Sequence, residues 1–120
     1  MSLAELRQLA ADQAAARVAA KAFAAQVRET FGDRVGWIRL YGSLARGDWM
    51  GPDESDVDIA VVLQGRTDAD IASVADLATR QMLLGGFVIS PMLFSPAEFD
   101  ALHQRELRLP QEILEQGIVL

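Results

Sequence analysis

The segment that most constrains the fold is Ser55-Asp56-Val57-Asp58-Ile59-Ala60-Val61-Val62-Leu63. From Ile59 onward it is apolar on both faces, the pattern of a central strand buried within a sheet. Strand side chains alternate, so Asp56 and Asp58 point to the same face, roughly 6.6 Å apart along the backbone. No Lys or Arg lies between Arg46 and Arg66. Two carboxylates so placed repel each other unless a cation joins them.

Upstream, Tyr41-Gly42-Ser43-Leu44-Ala45-Arg46-Gly47-Asp48 reads as a strand end turning into a short helix, Leu44 to Arg46. Gly42 has no Cβ, which lets backbone approach a ligand closely, and Ser43 is placed to cap the helix and leave free N–H groups aimed at an anion. A triphosphate with Mg²⁺ satisfies both halves, because Mg²⁺ prefers one or two carboxylates plus phosphate oxygens to an all-protein cage.

Gly42-Ser43, Arg46-Gly47 and Asp56-x-Asp58 resemble the signature of the DNA polymerase beta type nucleotidyltransferase superfamily. The small size is similar to its minimal nucleotidyltransferase group, often encoded beside an all-helical HEPN-type toxin. The resemblance implies an α/β (α+β) nucleotidyltransferase fold, a small mixed sheet flanked by helices. It implies Asp56 and Asp58 as catalytic and metal-binding residues, and Gly42, Ser43 and Arg46 as nucleotide-binding ones. ATP or another nucleoside triphosphate is then the substrate, Mg²⁺ the cofactor, and a HEPN-like protein the partner. One departure matters: transfer-competent members carry a third carboxylate on a neighbouring strand, and Phe87-Val88-Ile89-Ser90-Pro91-Met92-Leu93-Phe94 contains no acid. Ser90 or Met92 stands in its place, which puts a two-metal site in doubt.

The length of 120 residues suits a single nucleotidyltransferase-like domain, 1–120, divided into an N-terminal helical segment (1–31), a strand-turn-strand-helix-strand core (35–94) and C-terminal helices (95–120). With 51% hydrophobic and 23% charged residues, no apolar run reaches the ~20 residues of a membrane span. There is no cysteine, and the first residues lack a signal peptide's basic segment and apolar core; both lead to the expectation of a cytoplasmic chain. A net charge of −6, with cations spread along the chain, makes nucleic acid a poor substrate. A homo-oligomer is left open.

Ser2-Leu3-Ala4-Glu5 is a capping box opening an alanine-rich helix to about Phe31, ended by Gly32. Continuous, it would span roughly 43 Å, so its first half is expected to break or project. Val35 to Leu40 forms the first strand. Trp49 either packs over the turn or stacks on a base. Thr67 and Asp70 cap a helix whose buried stripe is Ile71, Val74, Ala75, Ala78 and Met82. Pro91 sends the third strand to an edge or a bulge. Ser95-Pro96-Ala97-Glu98 starts a helix, with Phe94 and Phe99 as its hydrophobic staple. A last helix starts near Pro110, and Ile118-Val119-Leu120 is an apolar tail.

Three functions fit these residues. The first is transfer of a nucleoside monophosphate, AMP from ATP, to a hydroxyl acceptor on a partner protein, with Arg46 offsetting charge on the leaving group. The second is a catalytically weak or inactive nucleotide-binding antitoxin or regulatory module that lacks the third carboxylate. An antibiotic-modifying transferase ranks last, since 120 residues leave little room for a second domain.

Overall fold

The computed structural model describes residues 1–120. Four strands form one mixed sheet in the order β3-β2-β1-β4, with β1 Val35–Tyr41, β2 Val57–Leu63, β3 Ile89–Phe94 and β4 Ile118–Val119. β1 runs antiparallel to β2 and β4, whereas β2 and β3 are parallel. Pro91 therefore lies on an edge strand, where its missing N–H costs no ladder bond on the open side.

β2 has packing layers on both faces. Val57, Ile59, Val61 and Leu63 join the core made with helices α1 (Leu3–Phe31) and α3 (Asp68–Gly85). Ala60 and Val62 face the opposite way, into a smaller cluster with Tyr41, Phe94, Phe99 of α4 (Pro96–Gln104) and Ile113 of α5 (Arg108–Gln116). By strand alternation Asp58 belongs to this second face, the side covered by α5.

α1 is unbroken over 29 residues, contrary to the expected break, and the molecule's longest dimension is 47 Å. Its second half buries Phe23, Val27 and Phe31. Its middle is tied down by two polar contacts: Gln13 Nε2 donates to the Trp49 carbonyl at 3.0 Å and Arg17 Nη2 to the Leu44 carbonyl at 2.8 Å. Only the first turns, with Leu3 and Leu6 exposed, stand away from the core.

α3 begins with the Thr67–Asp70 capping box, but it is rotated from the expected stripe. Val74, Leu77, Ala78 and Gln81 are buried, while Ile71, Ala75 and Met82 are exposed. The cause is Asp70, whose carboxylate takes two hydrogen bonds from Arg34, at 2.5 and 3.2 Å, and holds the first turn inward. The staple of Phe94 on Phe99 forms, with ring centroids 5.5 Å apart. α5 starts two residues before Pro110. The apolar tail is not loose: Ile118 and Val119 pair with Leu40 and Arg39 as β4, and the Leu120 N–H donates to the Ile38 carbonyl at 2.9 Å. No helix is long and apolar enough to cross a membrane.

Candidate functional site

β1 ends at Tyr41, and the chain enters the short helix α2 (Gly42–Arg46) through Gly42 at φ +73°. A Cβ on residue 42 would overlap Asp58 Oδ2, so the glycine is required to admit that carboxylate. This amends the sequence expectation, in which the missing Cβ made room for a ligand's phosphate. Ser43 also differs. It lies inside α2, whose N-cap is Tyr41, and caps nothing with its side chain; its carbonyl instead accepts the Gly47 and Asp48 amides at 2.9 and 3.0 Å. Tyr41 occupies the cap position without a side-chain cap hydrogen bond, and Ser43 Oγ has no hydrogen-bond partner within the chain.

Asp58 stands between two strands, opposite Tyr41 of β1 and Ser90 of β3. Ser90 therefore takes the position next to Asp58 on its own face, and Met92, two residues on, pairs with Ala60 farther along β2. Asp56 precedes β2 and is exposed. Its loop is held by the Met50 amide donating to Ser55 Oγ at 3.2 Å and by the Ser55 amide donating to the Gly51 carbonyl at 3.0 Å. Trp49 is wholly buried against Phe87 with its Nε1 unpartnered, so it packs under the loop and offers no stacking face.

Gly42, Ser43, Arg46, Asp56 and Asp58 line one open pocket of about 520 Å³. The sequence reading missed Glu112, which joins them from α5. Its carboxylate accepts a hydrogen bond from Arg46 Nη1 at 2.5 Å, and Arg46 Nε lies 3.4 Å from Asp48. Sequence carries no local signal for a pair 66 residues apart. The cue is indirect: Glu112 precedes Ile113, the buried residue that docks α5 on the Asp58 face of the sheet.

Anionic charge is concentrated here. Burial raises the Asp58 pKa above its ordinary value, Asp56 and Glu112 add to the rise, and Arg46 opposes it. Tyr41 is pushed up to about 12 by burial and by the same carboxylates, Asp58 and Glu112. A cation would relieve both effects. The donors are carboxylate oxygens, the set Mg²⁺ favours over softer metals. No group of three His, Cys, Asp or Glu side chains is arranged to hold a metal.

This sheet order and paired-aspartate turn define a nucleotidyltransferase fold. The nucleotidyltransferase domain family matches residues 21–116, and the chain belongs to that family, in its minimal nucleotidyltransferase group. It is 34% identical over 102 residues to a Methanocaldococcus jannaschii protein named as a candidate protein adenylyltransferase, covering 85% of this chain and 94% of that one. The fold is similar to the crystal structure of a candidate nucleotidyltransferase from Sulfolobus solfataricus: TM-score 0.55, 17% identity, 99% of this chain and 87% of that one. It is also similar to a toxin-antitoxin structure with AMP-PNP: TM-score 0.56, 21% identity, 81% of this chain and 68% of that one.

Proposed function

We propose that the protein transfers a nucleoside monophosphate, AMP from ATP, to a hydroxyl on a partner protein, using Asp56 and Asp58 with Mg²⁺. The observation that carries this reading is the seating of Asp58 against Gly42 in the pocket that Asp56 shares. The 34% identical relative is named for protein adenylyl transfer, and a structural neighbour was crystallised with AMP-PNP, a nucleoside triphosphate analogue. That neighbour is a toxin-antitoxin structure, which supports a protein partner, for which a helical HEPN-like chain is the candidate.

In this reading Asp56 and Asp58 bind and orient the metal-bound triphosphate, and Arg46 offsets charge on the departing phosphates. Bound Mg²⁺ supplies charge neutralisation at the phosphate oxygens. The acceptor hydroxyl oxygen bonds to the α-phosphorus as the bond from that phosphorus to the bridging oxygen breaks; the hydroxyl proton passes to water, and pyrophosphate leaves with the electron pair. Incubation with α-labelled ATP and cell extract tests this. Label should pass to protein with the wild type and not with Asp56→Asn or Asp58→Asn; transfer undiminished in both variants would refute the assignment.

A second reading, a nucleotide-binding regulatory module with little turnover, is favoured by one observation. Ser90 is the residue beside Asp58 on β3, and no third carboxylate completes the pair from that strand. Triphosphate binding without detectable label transfer would select it.

A further inference from the structure

Arg46 is the cation of the pocket that the nucleotide reading assigns to phosphate, yet it is already engaged. Glu112 holds its Nη1 at 2.5 Å and Asp48 lies 3.4 Å from its Nε. The Glu112 side chain retains 24% of its exposure, and the wholly buried Ile113 beside it sets where α5 presents this carboxylate to the pocket. An anionic ligand that reaches Arg46 must displace it or accept its repulsion.

The place to which Glu112 can turn is also present. Arg46 and Glu112 form the shared wall between the Asp56–Asp58 pocket and a second cleft of about 600 Å³. That cleft is lined by Arg108 and Gln111 from the same helix, together with Glu115 and Gln116. Arg108 makes no ion pair of its own within 4.0 Å, whereas Arg34, Arg46 and Arg66 each have a carboxylate partner. The pair therefore has two arrangements available to it: Glu112 on Arg46, or Arg46 on an anion with Glu112 released toward Arg108.

We propose that Glu112 is a positioning residue of the nucleotide site that competes with the polyphosphate of a nucleoside triphosphate for Arg46. The inference rests on the nucleotide reading above. It adds a selectivity: a triphosphate carries more negative charge to set against Glu112 than a monophosphate does. A monophosphate leaves the ion pair closed. Glu112 thus costs triphosphate affinity while keeping monophosphates from using Arg46 at all.

Calorimetric titration of the full chain with ATP and with AMP, both in Mg²⁺, tests this. Glu112→Gln removes the competing charge while keeping size, and should tighten ATP roughly three- to fivefold, from the upper part of the range for a partly exposed charge pair. AMP should change less than about twofold. The ATP gain should shrink at high salt, and should vanish when Arg46→Ala is added, since the competition acts through that side chain. Glu112→Asp, which retains charge but shortens the reach to Arg46, is the second variant should Glu112→Gln unfold; it should give a smaller gain of the same sign.

The failures separate. If the wild type binds ATP and Glu112→Gln binds it equally or more weakly, Glu112 is structural or a positive contributor, and this inference falls while the nucleotide reading stands. Equal gains for ATP and AMP would also overturn it, as a general charge effect. If neither protein binds ATP though both fold, the nucleotide reading falls and takes the inference with it.

Discussion

The carboxylate of Asp58 fills the volume that a side chain at Gly42 would need, and residue 42 sits at φ +73°, where any L side chain is strained. The turn and the strand that carry the site are thus fitted to each other before any ligand arrives. Gly42→Ala should lose stability by about 1–3 kcal/mol, through positive-φ strain and displacement of Asp58. ATP affinity should fall more than stability, because the displaced group is one that faces the pocket. Urea unfolding and calorimetry on the same preparation check both; a folded variant with wild-type affinity would show that Asp58 is free to move without consequence.

Trp49 and Phe87 pack beneath the site loop, ring centroids 6.0 Å apart, and the buried Trp49 Nε1 has no acceptor. Removing the unpaired donor offsets part of the loss of volume. Trp49→Phe should therefore cost much less than Trp49→Ala, for which a loss of about 3–5 kcal/mol is expected. Both variants should retain ATP binding wherever they fold, since the indole lies beneath the pocket. A Trp49→Phe variant that folds normally but fails to bind ATP would restore a direct role for this ring.

Asp70 predicts a pH dependence of known sign. The Arg34 guanidinium, then the Thr67 amide at 2.9 Å, hold its carboxyl down at about 2, below its ordinary value of 3.8. Folding thus favours the ionised form. The stabilisation is complete above 3.8 and is lost as pH falls through about 2. Urea midpoints measured from pH 5 to pH 2 should fall more steeply for wild type than for Asp70→Asn, which has no proton to take up. Parallel slopes would remove the Arg34–Asp70 pair from the acid sensitivity.

What was legible in the sequence was local. Gly42, Ser43, Arg46, Asp56 and Asp58 lie within 17 consecutive residues, so the end of β1, the short α2 and the entry to β2 bring them to one pocket. The capping boxes at Thr67 and Ser95 fall in the same category. The remainder depended on docking. The α3 stripe turned because Arg34, outside the helix, pulls Asp70 inward. The tail became β4 because β1 offered an unpaired edge beside it. Glu112 entered the site because α5 covers the sheet face to which Asp58 points, a relation that no spacing between residues 46 and 112 encodes.

Ser90 gives the sharpest test of turnover. In the parallel register it pairs with Asp58, so an acid there would share the face of Asp58 and stand beside it across one inter-strand spacing. Ser90→Asp places a third carboxylate next to one whose ionisation burial already disfavours. Without metal the variant should be less stable than wild type, and Mg²⁺ with ATP should raise its melting temperature more than the wild type's, because the cation relieves a larger repulsion. That shift is a readout independent of chemistry. If the added carboxylate also assists deprotonation of the acceptor hydroxyl, label transfer from α-labelled ATP should rise by about a hundredfold, the low end of general-base contributions. A larger metal-dependent shift without faster transfer would mean that the acid completes a binding site and not a catalytic one. Stabilisation by Mg²⁺ equal to that of wild type would mean that residue 90 does not meet the metal proposed to sit at Asp56 and Asp58.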